Sequence, residues 1–152
     1  GCLVLLALIP RQGATKLATV DAAGVAGQVS QSKKWDVAVA DGLGSPWRPV
    51  HAAMIPGDKE NPERWRAGYQ GAGEDYLSIQ QRKDGGAAWF AKVAKGTNSG
   101  ELKAGGATWR KVEMDGDQKA LVRTTPLAGL DTVVTGKGTR LARPLERVRE
   151  IL

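Results

Sequence analysis

The chain has 152 residues, a net charge of +6 at neutral pH and a pI near 9.7. Its length suits one domain with a real core and leaves little room for a second. Hydrophobic residues make up 41% of the chain, which excludes a disordered tail. The single cysteine, Cys2, excludes an intramolecular disulfide and a thiolate metal cluster. The positive charge permits attraction to lipid head groups, envelope polymers or nucleic acid without choosing among them.

The first segment is a continuous apolar run, Cys2–Pro10. A spanning helix needs about 20 apolar residues, so this run covers roughly half of the hydrocarbon core. Three interpretations compete: a buried element of the domain, a signal-peptide core, and the outer half of a transmembrane helix that begins before Gly1. The third is favoured, because the small polar residues that follow offer no packing pattern. The anchor then covers residues 1–12, and its lipid-facing residues are Leu3, Val4, Leu5, Leu6, Leu8 and Ile9.

Residues 13–34 are rich in Ala, Gly, Thr, Gln and Ser, which favours a linker or loosely docked segment. The alternative is a short helix over Val20–Val29 with Asp21 as its N-cap. Glycines in this stretch, Gly24 and Gly27 among them, disfavour the helix, because glycine destabilises helix interiors.

From Trp35 onward the pattern becomes that of a sheet, with short alternating runs separated by turns. Pro49 lacks a backbone donor, so its strand is expected at an edge or to join the sheet only after the proline. Leu77 and Ile79 mark the core face of another strand. Seven strands are predicted, at Trp35–Ala40, Trp47–Ile55, Arg64–Gln70, Tyr76–Arg82, Ala107–Met114, Lys119–Thr125 and Leu130–Thr135.

Two helices complete the predicted domain. The first covers Ala87–Lys95, with Gly96 as its C-cap candidate. The second begins near Arg143 and follows an apolar stripe formed by Leu141, Leu145, Val148 and Leu152. The predicted order over residues 35–152 is therefore β-β-β-β-α-β-β-β-α. This order indicates an α+β fold, in which two helices cover one face of a mostly antiparallel sheet of about seven strands.

No catalytic constellation emerges from the sequence. His51 is the only histidine, and no nucleophile-elbow motif surrounds a serine, so a structural or surface histidine is favoured over a general base. The segment Thr135–Thr139 (TGKGT) lacks the earlier glycine of a phosphate loop and reads as a flexible connection. Asp115 and Asp117 flank a glycine as turn formers, without the further ligands of a calcium loop. We expect no enzyme activity, no cofactor and no metal.

Two surfaces are candidates for binding. Arg140, Arg143 and Arg147 form the strongest basic patch and would meet lipid phosphates or an acidic partner, unless they are only the solvated face of the last helix. The tryptophans are expected to dominate a core with little phenylalanine, although one or two exposed on a sheet face would suggest a ligand surface. No recognised nucleic-acid motif accompanies the charge.

From Trp35 to its C-terminal end the chain resembles the domain-of-unknown-function 4245 family. The resemblance is carried by Ser45–Pro49 (SPWRP), Arg66–Tyr69 (RAGY), Glu74–Gln81 (EDYLSIQQ), Gly106–Trp109 (GATW), Lys119–Arg123 (KALVR) and Thr132–Gly136 (TVVTG). It implies a single-pass membrane protein of actinobacteria with its domain outside the cytoplasm, and it implies no established activity. The chain departs from the family at Thr139–Pro144, which is basic where members carry acidic residues.

The sequence thus predicts a non-catalytic, membrane-anchored extracytoplasmic domain. We expect it to be an accessory subunit or interaction module of a membrane or cell-envelope complex. Its partners would be membrane lipid, through the N-terminal helix, and other subunits of the complex. The alternative is a carrier of small ligands or lipids that uses a tryptophan-lined sheet face.

Overall fold

The computed structural model describes residues 19–40, 47–59, 62–71, 75–104, 106–116, 118–137 and 148–150. The helices are α1 (Ala22–Lys33) and α2 (Gly86–Val93). The strands are β1 (Ala38–Ala40), β2 (Arg48–Ile55), β3 (Arg64–Gln70), β4 (Tyr76–Arg82), β5 (Thr97–Ala104), β6 (Ala107–Glu113), β7 (Gln118–Arg123), β8 (Asp131–Lys137) and β9 (Val148–Glu150).

Seven of these strands form one antiparallel sheet in the order β2-β3-β4-β8-β7-β6-β5. The remaining two, β1 and β9, pair with each other. The expected α+β class and the antiparallel sheet are confirmed. The predicted strand Trp35–Ala40 is shortened to Ala38–Ala40 and lies outside the large sheet.

The hairpin β3–β4 has the bounds that its alternation predicts. Leu77 and Ile79 are fully buried, as expected for the core face. Strand β2, which pairs with β3, is an edge strand of the sheet, and its pairing is irregular between Pro49 and His51. A proline at this position is tolerated because the outer side of an edge strand needs no ladder donor.

Strand β5 was not predicted. It is polar, it contains Gly100 with a φ of 129°, and its pairing shifts between Asn98 and Gly100. Such a bulged edge strand carries no apolar alternation. The sequence signal for β5 is the Gly105-Gly106 dipeptide ahead of β6, because two glycines between strands are typical of a tight hairpin. In the structure Ala104 of β5 pairs with Ala107 of β6.

Helix α1 occupies the stretch for which the sequence favoured a linker. Asp21 caps it, with its Oδ1 accepting a hydrogen bond from the Gly24 N–H at 3.0 Å. Ala22, Ala26 and Val29 are buried on one side and belong to the main core. Three small residues at helical spacing allow close packing, and this packing outweighs the low helix propensity of glycine.

The two helices pack on opposite faces of the sheet, which corrects the expectation of one covered face. Trp65 and Leu121 point to the core that contains α1, whereas Val122 and Val133 pack against Trp89 of α2. Successive residues of a strand face opposite sides, so the sheet is a central layer with apolar residues on both faces. Helix α2 ends at Ala94, not at Gly96, whose Cβ would collide with the Glu113 carbonyl.

The predicted last helix is wrong where the structure describes it. Val148–Glu150 is strand β9 and pairs with Ala38–Ala40 of β1. Backbone pairing with β1 satisfies donors and acceptors over these residues, and this pairing takes precedence over the helical spacing of the apolar side chains. The other residues of that predicted helix lie outside the described part.

Side chains of the sheet hold β1 against the core. The Ala38 N–H donates to Gln81 Oε1 at 2.7 Å, and the Ala38 carbonyl accepts from Trp65 Nε1 at 3.0 Å. The Ala40 N–H donates to the Tyr69 hydroxyl at 2.9 Å. The amide of Gln81, which is fully buried, also donates to Thr132 Oγ1 at 2.9 Å. These bonds satisfy backbone groups of β1 that would otherwise be buried without partners.

Substitution of Gln81 by leucine should therefore lower the free energy of unfolding by about 1–3 kcal/mol, because the buried Ala38 N–H loses its acceptor. Urea unfolding of the full chain measures this. The neighbouring Gln80→Leu is the matched control, since Gln80 is half-buried on the other face, and it should change stability by less than about 0.5 kcal/mol. Equal effects of the two variants would contradict this role of Gln81.

Candidate functional site

The sheet face that carries α2 is apolar on one half and polar on the other. Helix α2 packs on the half made by β6, β7 and β8. On the other half, strands β2, β3 and β4 present mostly polar side chains, together with Ala53 and Ile55 of β2. We call the polar members of this set the polar face, which consists of Arg48, His51, Arg64, Arg66, Gln70, Tyr76, Ser78, Gln80 and Arg82.

Alternation within β3 and β4 creates the polar face. In β3, Trp65 and Tyr69 point to the core, so Arg64, Arg66 and Gln70 point the other way. In β4, the burial of Leu77, Ile79 and Gln81 leaves the even-numbered positions on the polar face. Register across the hairpin then places Arg66 opposite Gln80 and Gln70 opposite Tyr76.

Gly68 lies at the centre of the polar face, between His51 on β2 and Ser78 on β4. The ring of Tyr76 leans over it, so that a Cβ at Gly68 would collide with the Tyr76 hydroxyl and lie 3.2 Å from Tyr76 Cζ. The same Cβ would lie 3.4 Å from His51 Cβ. Only glycine leaves room for this arrangement.

A polar cluster surrounds Gly68. Arg66 donates long hydrogen bonds from Nε to Ser78 Oγ at 3.5 Å and from Nη2 to the Tyr76 hydroxyl at 3.4 Å. Ser78 is 2% exposed. His51 Nδ1 is buried and has no hydrogen-bond partner in the described part of the chain. The cluster presents donors and a positive charge around Gly68, over which the Tyr76 hydroxyl lies.

The cluster does not form a nucleophile–base pair. Ser78 and His51 stand on strands separated by β3, which places their backbones roughly 10 Å apart. No hydrogen bond joins their side chains within the described residues, and Ser78 instead accepts from Arg66. Chemically, the arrangement suits the binding of an anion or a polar surface rather than nucleophilic attack.

At the end of β2, Arg48 extends the polar face. Its Nη2 donates to Gln70 Oε1 and its Nη1 donates to Thr19 Oγ1, both at 3.1 Å. At the other end, a groove separates the polar face from α2, with a volume of about 450 Å³. Its lining residues are Pro62, Arg64, Gln80, Arg82, Gly85, Ala88, Trp89, Lys92 and Val93.

The structure does not test the site residues singled out in the sequence. Leu3, Val4, Leu5, Leu6, Leu8 and Ile9 lie outside the described residues, as do Arg140, Arg143 and Arg147. Among the described residues, no helix combines the length and apolar character needed to cross a lipid bilayer. The segment expected as a flexible connection is in part strand, because Gly136 and Lys137 continue β8.

The tryptophans do not share one face. Trp35, Trp65 and Trp109 are buried in the core beside α1, and Trp89 is buried beneath α2. Trp47 is half-buried against the first core. The expectation that indoles dominate the interior is confirmed for four of the five.

Sequence reasoning missed the polar face. Its signal in the sequence is the run Arg64-Trp65-Arg66, in which two cations flank a large core residue, with Gly68 two positions later. The predicted hairpin has the correct bounds, but the sequence assigned no role to the outward positions of its strands. Only the cross-strand register shows that they adjoin His51 and Gln80.

The described fold and site define an α+β domain whose antiparallel sheet has one free polar half-face. A family model, described as a protein of unknown function (DUF4245), matches residues 1–143. The chain therefore belongs to the DUF4245 family. No curated protein and no solved structure matches the chain.

Substitution of Gly68 by alanine should cost about 1–3 kcal/mol of stability, because the new methyl group collides with Tyr76 in a packed site. Gly27→Ala is the control, since its Cβ would meet nothing within 4 Å on α1, and it should stabilise by about 0.5–1 kcal/mol. Urea unfolding of the full chain measures both. Tyr76→Phe in the Gly68→Ala background should restore part of the loss, and no restoration would contradict the collision with the hydroxyl.

Proposed function

We propose that this protein is a non-catalytic, membrane-anchored extracytoplasmic domain that acts as an accessory subunit or interaction module of a membrane or cell-envelope complex. The polar face is the surface that contacts the partner. The observation that carries the proposal is the charge of this face: it holds four arginines and no carboxylate. A partner with an acidic surface is complementary to it.

The form of the polar face supports binding rather than catalysis. Arg66, Tyr76 and His51 surround Gly68, so the surface presents donors and a positive charge around a position that has no side chain. Arginine and tyrosine are enriched at protein interfaces, because they combine a large contact area with directional hydrogen bonds. The strands beneath are rigid, which lowers the entropy lost when a partner binds.

Membrane anchoring is supported by composition. Leu3–Ile9 contains no polar residue, and the resemblance described above implies a single-pass protein with an external domain. A segment of this kind buries its side chains in lipid and leaves the folded domain at the surface. The alternative, a carrier with a tryptophan-lined face, is less supported, because four indoles are buried in two separate cores.

Charge reversal on the polar face should disrupt the complex. The full chain is purified from membranes in a mild detergent, and its mass is measured on a native gel. Arg66→Glu should weaken association by roughly tenfold or more, because a carboxylate then faces the acidic partner. Lys103→Glu is the control, since Lys103 is an exposed residue of the opposite edge strand β5 and pairs with Thr108, away from the polar face. Migration of the unsubstituted chain as a monomer would contradict the proposal, as would an intact Arg66→Glu complex.

The anchor is tested by fractionation of cells that express the full chain. Leu6→Arg should move the protein from the membrane fraction to the soluble fraction, because a charge within the span opposes insertion by about 2.5–3.5 kcal/mol. Ala14→Arg adds the same charge outside the apolar run and should leave the protein in the membrane fraction. Equal distributions of the two variants would argue against an anchor at Leu3–Ile9.

A further inference from the structure

Two arginines, Arg64 and Arg82, lie at the same end of the β3–β4 hairpin and line one groove. The last ladder pair at this end is Trp65 with Gln81, and continuing the register by one residue would set Arg64 beside Arg82 on the polar face. Like charges directly opposite each other in a sheet are destabilising. The hairpin therefore carries a repulsive pair at this position.

Neither guanidinium is neutralised by a carboxylate within the described residues. Arg64 donates from Nη1 to the Pro62 carbonyl at 3.4 Å, and Arg82 donates from Nε to the Lys83 carbonyl at 3.2 Å. The nearest acid in the ladder, Asp131 on β8, stands opposite Arg82.

The Oδ2 atom of Asp131 accepts from the Gly86 N–H at 2.9 Å, and its carboxylate forms no ion pair with Arg82 within the described residues, although its negative charge remains beside Arg82. The ion pair between Lys33 and Glu63 involves neither arginine. Both guanidinium groups can therefore still donate to an anion from outside.

Both arginines line the groove between the polar face and α2, whose volume is about 450 Å³. The guanidinium of Arg82 lies over the Trp89 ring, 6.0 Å from its centroid, and this contact fixes one wall. Gln80 adds an amide donor, and no described lining residue is acidic. Grooves of this size accept small ligands.

We propose that this groove binds a phosphate group through Arg64 and Arg82. The planar guanidinium presents paired donors that match phosphate oxygens, and two of them on facing strands suit a doubly charged oxyanion better than a single carboxylate. A bound phosphate removes the repulsion between the two cations. The inference rests on the proposed function, since the groove is part of the same basic face, and it assigns phosphate as the anionic group that this face recognises.

Thermal unfolding and calorimetric titration of the full chain in a non-ionic detergent test the site. Inorganic phosphate should raise the melting temperature above that in sodium chloride of equal ionic strength. The double variant Arg64→Ala/Arg82→Ala should bind phosphate at least about tenfold more weakly. Arg110→Ala, an arginine of the same sheet face outside the groove, should bind like the unsubstituted chain. Equal phosphate affinity in the double variant and the control would overturn the site.

A second variant separates binding from folding. Arg64→Glu replaces the repulsive pair with an attractive one, so its melting temperature without phosphate should rise while its phosphate affinity falls at least about tenfold. A variant that is merely misfolded would show both a lower melting temperature and a lower phosphate affinity. If Arg64→Glu lowers the melting temperature and still binds phosphate, the pair has no role in anion binding and the proposal fails.

The source of the phosphate is resolved by competition. Glycerol phosphate and short-chain phosphatidylglycerol below its micelle concentration are each titrated against bound inorganic phosphate. If both compounds displace inorganic phosphate, the natural ligand is a lipid head group or a polymer phosphodiester. If glycerol phosphate alone displaces it, the natural ligand is a soluble phosphate monoester. A chain that binds none of the three overturns this inference, whereas the native-gel comparison of Arg66→Glu decides the proposed function independently.

Discussion

The hydrogen bonds that Gln81, Trp65 and Tyr69 make to β1 are the constraint on which the rest of the domain depends. A strand laid across an apolar sheet face buries its own N–H and C=O groups, and unsatisfied groups would make that packing unfavourable. Here side chains of the sheet accept or donate at Ala38 and Ala40. These bonds allow β1 to cover the core beside α1. The sheet face that contains Trp65 is therefore buried in the core.

The opposite face is therefore the one on which we propose a binding surface. Helix α2 needs only β6–β8 beneath it, since Trp89 finds its apolar contacts with Val122 and Val133. Strands β2–β4 are stabilised from the core side by Trp65 and Leu77, and their other face can therefore be polar. One face of the sheet is covered by α1 and β1, whereas α2 covers only the β6–β8 half of the other face. The arginines of β3 and β4 therefore lie next to the edge of α2.

The parts of this arrangement that local pattern determines were predictable, and the parts that pairing determines were not. Alternation of apolar and polar residues gave β3 and β4 their correct bounds, because one face of that hairpin is buried. Strand β5 has no such alternation and exists through its ladder with β6. At Val148, likewise, pairing with β1 prevails over helical spacing. Arg64 and Arg82 can be read from the sequence, but only the strand register shows that they lie near each other.

The Arg64–Arg82 pair also shows why stability and binding diverge at this site. For folding alone, an opposite charge at position 64 would be better, since an attractive cross-strand pair contributes up to about 1 kcal/mol and a repulsive one costs a comparable amount. In the free protein Asp131 opposite Arg82 offsets part of this repulsion, and solvent and salt screen the rest, with a Debye length near 10 Å at 0.1 M ionic strength. An oxyanion between them converts the repulsion into two attractions. The free energy that the sheet loses when empty is thus regained on binding, so ligand affinity at the groove and the stability of the hairpin are coupled.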